Sequence, residues 1–372
     1  MQLRQIDTER KQDVERFVQF PFKLYRRCPQ WVPPLLEDTR ATLDRRKNPS
    51  YKHSTADFFI VENGKEVLGR MMVVHNRNHN AYRGEKTAFF NSFECVEDIA
   101  VARLLFAAAF EWARARGLEK MIGTRGFIGS DGSGILVEGF EHRPAMGVPY
   151  NYPYYDAFVT DAGFEKDTDH ISGHISGSYE LPARVLQVAE KVQERHNLWI
   201  KNFASKDEMR QWAPRVLEVY QDSFTETHEF YPPSPEEAQS IANGLITLCD
   251  PRLIKLVMKG DDIVGFVFAY HDLSAALKKC RGRLWPVGWF FLMQEPKRTE
   301  WVNLNGIGFL PAYRGLGGNA LLYRELYQSI KQFNFKHGDI VQVNEVNFPS
   351  KSDMETLGVT WYKRHRSYKR NL

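Results

Sequence analysis

The chain has 372 residues, a formal net charge of +4 and four widely separated cysteines. This length predicts two or three domains, and the mild, mixed charge does not indicate a nucleic-acid partner. Without a CxxC pair, neither a zinc ribbon nor a redox dithiol is indicated. The polar start lacks a signal-peptide core and no apolar run is long enough to span a membrane, so we expect a cytoplasmic protein without a membrane partner.

In chain order, the first half opens with two helical segments, the first of them interrupted at Pro21. Residues 57–74 read as a hairpin, and 86–96 as a strand after a polar loop. The strongest helix of this half covers 98–118, because its apolar side chains recur at helical spacing and Gly117 lies at its end. A strand, a short helix and a late strand complete the half.

The second half repeats this order of elements. It has a strand, two helices, a hairpin, a strand, a helix, a strand, a short helix and a last strand. The second helix begins with a capping box, with Ser234 as N-cap and Glu237 three residues on. A period close to half of the chain predicts duplicated domains, which we place at 1–178 and 179–372. The predicted fold class is α/β, with two tandem units that each contain a mixed, twisted sheet flanked by helices.

Residues 314–319, Arg-Gly-Leu-Gly-Gly-Asn, separate a predicted strand from a predicted helix. A tight turn needs only one or two permissive residues, so three glycines indicate close approach of the backbone to a ligand. Glycines at a helix N-terminus leave its unpaired N–H groups open to an anion, and Arg314 adds a fork of donors suited to phosphate. The stretch lacks the GxGxxG of dinucleotide sites and the Lys-Ser/Thr of nucleoside-triphosphate loops. It therefore predicts a pyrophosphate site of another kind.

Residues 309–322, FLPAYRGLGGNALL, resemble the signature of the GNAT acyltransferase superfamily, Arg/Gln-x-x-Gly-x-Gly/Ala. Arg314 and Gly317 fit this signature, whereas Asn319 stands where glycine or alanine is usual. Residues 347–359 resemble a second motif of the family, with Asn347 and Gly358 in register. There Met354 replaces the usual tyrosine, which removes one donor for the leaving group.

The first half resembles the same fold without the glycine loop. Glu94, Glu97 and Asp98 stand before its main helix. Carboxylates at a helix N-terminus suit the helix dipole but repel a pyrophosphate. We therefore interpret the first half as a degenerate copy that does not hold the cofactor.

The resemblance implies an N-acyltransferase that takes an acetyl or other acyl group from coenzyme A and needs no metal. The acceptor is then a primary amine on a small molecule or peptide, which attacks the thioester directly without a covalent enzyme intermediate. Glycines at 306 and 308 favour a bulge in the strand beside the cofactor. The residues implied in cofactor binding are Gly308, Phe309, Leu310, Arg314, Gly315, Leu316, Gly317, Gly318, Asn319 and Asn347.

The proton-transfer groups are less clearly indicated by the sequence. Candidate catalytic residues are Glu300, Glu226 and Tyr362, with Tyr323 as a further donor. Glu226 belongs to an acidic and aromatic loop over 222–235, which by family analogy faces the acceptor. A solvated loop between helices is the simpler interpretation of that segment.

Two alternative functions remain open at this point. The tandem layout also resembles Fem-type transferases, which use an aminoacyl-tRNA donor. The second alternative is a binding protein that kept the fold and lost the catalytic activity. Met354 and Asn319, which depart from the family motifs, favour it. A homodimer is one candidate assembly.

Overall fold

The computed structural model describes residues 1–128, 133–225, 230–333 and 335–372. The first half contains β1 Gln2–Gln5, α1 Lys11–Leu24, α2 Leu36–Leu43, β2 Ser54–Asn63, β3 Glu66–Asn76, α3 Arg77–Arg83, β4 Thr87–Cys95, α4 Ile99–Arg114, β5 Lys120–Gly123, β6 Ile135–Glu138, α5 Tyr154–Asp161 and β7 Glu165–Ser176.

The second half contains α6 Ala183–His196, β8 Leu198–Asn202, α7 Lys206–Phe224, α8 Pro235–Leu248, β9 Ile254–Lys259, β10 Asp262–His271, α9 Ser274–Cys280, α10 Gly288–Gln294, β11 Trp301–Phe309, α11 Gly318–Ile330, β12 His337–Asn344, α12 Phe348–Thr356 and β13 Thr360–Asn371. The capping box predicted at Ser234 is present at the start of α8. α1 continues through Pro21, so the predicted interruption is wrong: the chain remains helical to Leu24.

Both halves share one sheet, in the order β1-β2-β3-β4-β5-β13-β7-β12-β11-β10-β9-β8, with β6 also paired to β13. The last strand of each half lies in the other half's part of the sheet. β13 pairs antiparallel with β5, and β7 pairs antiparallel with β12. The two exchanged strands also pair with each other along most of their length. The halves are therefore joined by main-chain hydrogen bonds, and the division into 1–178 and 179–372 stays a prediction.

Each half places its sheet between helices on both faces. In the second half, Val257, Val302 and Leu321 belong to a core between the sheet and α11. Met209, Ile246 and Phe266 belong to a core on the other face, beneath α7 and α8. The first half has the same layers, with α4 on one face and α1 with α2 on the other. Among the described helices, none is both long and apolar enough to cross a membrane.

The strand exchange predicts that residues 1–178 do not fold alone. Without β13, β5 and β7 each lose a neighbour and expose a strand edge. We expect this fragment to show no cooperative thermal transition by circular dichroism. Co-expression with 179–372 should restore one, and cleavage of the intact chain at the exposed Ser178 should leave the two pieces associated. A cooperative transition of the isolated fragment would contradict this prediction.

Candidate functional site

A gap opens in the sheet where β11 leaves β12. The two strands pair in parallel only from Trp301 with His337 to Leu304 with Ile340. Beyond this point β11 bulges: the register to β10 shifts between Val267 and Ala269, and Gly306 has a φ of +104°. The bulge predicted from the glycines is confirmed. The side of residues 305–309 that faces away from β10 is a strand edge without a neighbouring strand, and of its groups the Phe309 carbonyl accepts from Arg314 Nε at 3.3 Å.

The glycine loop lies at the end of this gap. α11 begins at Gly318, and its N-cap, Gly317, has a φ of +81° and no side-chain cap. Within the described part of the chain, no backbone N–H of residues 315–319 donates a hydrogen bond. Five consecutive open donors at the positive end of a helix are the arrangement that suits an anion, so the predicted pyrophosphate site remains a prediction that this geometry allows.

Glycine stands at the three positions of the loop for different physical reasons. A Cβ at Gly318 would lie 2.6 Å from the Phe309 ring, and one at Gly317 would lie 2.9 Å from Val192 of α6. Both therefore allow α11 to pack closely. A Cβ at Gly315 would meet nothing within 4 Å, although the residue has a φ of +72°. Only Gly315 has open space beside it.

The predicted polar cofactor residues are all engaged with the protein. Arg314 donates from Nη2 to the Ser223 carbonyl (2.9 Å) and from Nε to the Phe309 carbonyl (3.3 Å), which ties the loop to α7. Asn319 donates from Nδ2 to Asp353 Oδ2 at 2.6 Å. Asn347 caps α12 by accepting from the Ser350 N–H at 3.3 Å. The backbone donors of 315–319 are thus the open polar groups of the loop, and the cofactor roles of these side chains stay predictions.

The first half has the same gap, filled by a tyrosine. β4 pairs with β5 only from Thr87 to Phe90, and the register to β3 shifts near Ser92, which has a φ of +50°. Tyr155 Oη accepts from the Cys95 N–H at 3.0 Å and donates to the Cys95 carbonyl at 3.3 Å. Tyr25 Oη lies 3.2 Å from the same hydroxyl. The edge groups of Cys95, the counterpart of Phe309, are therefore already satisfied.

The helix that follows this filled gap is capped as well. Asp98 caps α4 by accepting from the Ala100 N–H at 2.9 Å. Glu94, also before this helix, is paired with Arg70 at 3.1 Å. Glu94 and Asp98, two of the three acidic residues noted in the sequence, thus have structural partners. In this described stretch, carboxylates stand where residues 315–319 present open N–H groups.

Tyr155→Phe is expected to destabilise the protein by about 1–3 kcal/mol, because the buried Cys95 N–H loses its acceptor. Coenzyme A affinity should not change, since the filled gap belongs to the first half. Chemical denaturation and calorimetry measure the two effects separately. A large loss of affinity at unchanged stability would contradict the assignment of Tyr155 as a structural plug.

A buried polar cluster lies at the base of the second-half gap, on the face of α7 and α8. Arg143, from the first half, binds both carboxylate oxygens of Asp272 at 2.8 and 2.9 Å. Asn303 donates to Asp272 at 3.2 Å. Lys363 Nζ lies 2.9 Å from the Arg143 carbonyl and 3.5 Å from Asp339 Oδ2. Neither half supplies this cluster alone.

Asp339 has the least satisfied carboxylate of the cluster. Tyr362 donates to its Oδ2 at 2.8 Å, and Oδ1 has no hydrogen-bond partner in the described part of the chain. Burial raises the pKa of Asp339 above its ordinary value, while Lys363 opposes that rise. Burial also lowers the pKa of Lys363 and raises that of Tyr362. Asp339 pairs with Asn303, and only one further pair follows before the two strands separate, so Asp339 lies near the start of the gap.

The candidate catalytic residues are not brought together. Glu300 lies before β11, at the end far from the glycine loop, and pairs with Lys336 at 2.5 Å. Tyr323 donates to Asp353 at 3.1 Å, and burial raises its pKa. Glu226 lies outside the described residues. Only Tyr362 belongs to the polar cluster, whose remaining members the sequence did not indicate. The described residues contain no group of three or more His, Cys, Asp or Glu arranged to hold a metal ion.

Comparison with known proteins gives relatives along the whole chain. The chain is 24% identical over 97% of its length to protein YghO of Escherichia coli strain K12, of which it covers 94%. It is 23% identical, again over 97% of its length, to the bacterial ceramide synthase of Caulobacter vibrioides, of which it covers 95%. No family model matches the chain.

Solved structures resemble the whole chain at low sequence identity. A tandem GNAT protein from the clavulanic acid biosynthesis pathway has a TM-score of 0.57 and 14% identity, covering 100% of this chain and 98% of that one. A GCN5-related N-acetyltransferase from Sphaerobacter thermophilus has a TM-score of 0.52 and 12% identity, covering 100% and 95%. These likenesses confirm the expected fold class and the resemblance to tandem GNAT proteins.

Proposed function

We propose that this protein, whose fold is that of tandem GNAT proteins, transfers the acyl group of an acyl-coenzyme A thioester to a primary amine. One observation carries the proposal: five consecutive backbone N–H groups, residues 315–319, are open at the end of a gap between two strands. The pyrophosphate of coenzyme A occupies these donors, and its pantetheine arm pairs with the strand edge of residues 305–308, since the Phe309 carbonyl is bound by Arg314. The filled gap of the first half supports a single cofactor site in the second half.

The chemistry requires a base for the amine. The amine nitrogen attacks the thioester carbonyl carbon, the C–S bond breaks, and coenzyme A leaves as the thiolate. We assign the proton that the amine loses to Oδ1 of Asp339, which has no hydrogen-bond partner among the described groups. Tyr362 is a positioning residue in this scheme, because its bond to Oδ2 orients the carboxylate. Glu300 and Glu226 stay as predicted alternatives.

The acceptor class is proposed from a relative's name. Ceramide is an N-acylated long-chain amino alcohol, and a relative that matches nearly the whole chain is named a ceramide synthase. We therefore propose a long-chain amine as acceptor and a long-chain acyl group as donor, in place of the acetyl group expected from the GNAT resemblance. A shorter amine and acetyl-coenzyme A are the alternative pair.

Calorimetry and transfer assays test this function in two steps. We expect coenzyme A to bind the full chain with one site per molecule. Amide formation should then be measured with acetyl- and palmitoyl-coenzyme A against a long-chain amino alcohol and a short alkylamine. No binding at millimolar coenzyme A would overturn the proposal. Binding without transfer to any amine would favour a protein that kept the fold and lost the chemistry.

A further inference from the structure

The segment between β10 and β11 carries an exposed apolar surface. Five large side chains within nine residues, which we call the apolar patch, are 44% to 76% exposed. They are Trp285, Val287, Trp289, Phe290 and Met293. Scattered apolar residues on a surface need no explanation, whereas such a cluster marks an interaction site.

The base of this segment is firmly packed. The N–H of Leu36, at the start of α2, donates to the Gly282 carbonyl at 2.9 Å. Lys279 Nζ lies 4.2 Å from the centre of the Phe291 ring. A Cβ at Gly288 would lie 1.7 Å from the Arg283 carbonyl oxygen, so this turn of the chain is close-packed. The apolar patch is therefore exposed on an anchored support.

The patch has a cationic border. Residues 278–298 contain six Lys or Arg and one carboxylate, Glu295, so the formal charge of this stretch is +5. The exposed cations are Lys279, Arg281, Arg283, Lys297 and Arg298. In the parts of the chain that the structure describes, none of them forms a salt bridge. A partner with exposed negative charge and an apolar interior would match this surface.

We propose that the apolar patch and its cationic border dock on an anionic lipid bilayer. Trp and Phe favour the level of the lipid headgroups, and unpaired Lys and Arg are attracted to anionic lipids. Such docking needs no membrane span, so it is compatible with the short apolar runs of the sequence. A protein partner or a second copy of the chain is a different occupant, which the test below distinguishes.

The position of the apolar patch relates the proposed docking to the proposed function. The segment leads into the start of β11, whereas the glycine loop lies beyond the end of this nine-residue strand. A strand of that length spans about 30 Å. The bilayer thus lies on the side of the paired start of β11, while the glycine loop beyond the other end of the strand faces water, where coenzyme A thioesters dissolve. The delivery of a lipid amine rests on the proposed function, but the bilayer contact does not.

Vesicle co-sedimentation of the full chain tests the contact. We expect binding to phosphatidylcholine vesicles that contain phosphatidylglycerol and much weaker binding to phosphatidylcholine alone. Arg281→Gln with Arg283→Gln should weaken binding about 25-fold, at about fivefold per cation near an anionic surface. Trp285→Ser with Met293→Ser should weaken it about tenfold or more.

Matched controls use residues of similar exposure elsewhere. Val346→Ser with Phe348→Ser removes side chains that are 54% and 71% exposed near α12. Arg184→Gln with Lys191→Gln removes two exposed cations from α6. Vesicle binding should change less than twofold in both, and circular dichroism confirms that all four variants fold. Equal losses in patch and control variants would overturn the proposal.

Other outcomes separate the two proposals. Absence of vesicle binding, or a dimer that Trp285→Ser with Met293→Ser dissociates, would overturn the bilayer contact. Coenzyme A calorimetry on the same samples tests the function independently. Vesicle binding without coenzyme A binding would overturn the proposed function and support the bilayer contact. Coenzyme A binding without vesicle binding would overturn the bilayer contact alone.

Discussion

Asp339→Asn is expected to lower kcat about a thousandfold while coenzyme A still binds. General-base catalysis contributes about 10²–10⁴ to a rate, and asparagine cannot accept the amine proton. Because burial raises the pKa of Asp339, kcat/KM of the wild type should fall as the pH falls through that raised pKa, where the carboxylate becomes protonated. This acidic limb should be absent from the residual activity of the variant. Steady-state kinetics across pH measure both effects.

The same change has a structural effect that must be separated from catalysis. It leaves Lys363, which is 2% exposed, without its anion, at a cost of about 3–5 kcal/mol. Since burial lowers the folded-state pKa of Lys363, the unfolded chain binds more protons, and the loss of stability should lessen as the pH rises.

The control for Asp339 is Asp339→Asn combined with Lys363→Met. Removing the buried cation should restore part of the stability, because an apolar side chain of similar volume replaces an unpaired charge. Activity should stay low. If activity returns together with stability, Asp339 acts through the fold and the assignment as base is wrong. Tyr362→Phe should lower kcat by a smaller factor than Asp339→Asn, as expected of a positioning residue.

Leu316→Asp should weaken coenzyme A binding about ten- to thirtyfold. Leu316 is 37% exposed in the middle of the open N–H groups, so a carboxylate there lies beside the proposed pyrophosphate. Repulsion between like charges several ångströms apart near a protein surface amounts to about 1–2 kcal/mol. Calorimetry measures the affinity, and added salt should reduce the difference from the wild type because it screens the repulsion.

The isosteric control is Leu316→Asn, which changes the shape in the same way without the charge. We expect it to bind coenzyme A within about threefold of the wild type, since no buried contact is lost. Equal weakening by both substitutions would show that the leucine side chain matters and the charge does not. Unchanged affinity in Leu316→Asp would place the pyrophosphate elsewhere. Gly317→Val is less informative, because its Cβ would also displace α6.

Local patterns predicted much of the second half correctly. Gly306 and Gly308 predicted the bulge, and Ser234 with Glu237 predicted the capping box. Both depend on a few neighbouring residues, which is why they could be recognised in the sequence. The helices over 274–294 were missed because each has only seven residues, too few for a clear helical period, and because the large apolar side chains Trp289, Phe290 and Met293 of α10 are exposed.

The sequence by itself determined the repeated order of elements and the glycine-rich start of α11, for which an anion site stays a prediction. Those features come from hydrophobic periodicity and local backbone chemistry. Only the tertiary structure decided that β7 and β13 exchange places, because strand pairing between distant segments depends on the whole sheet. The tertiary structure also brings Arg143 to Asp272, 129 positions away in the sequence, and Lys363 of β13 to Asp339 of β12 across β7. The polar cluster beside the gap is therefore a product of the fold, whereas the glycine loop is a product of local sequence.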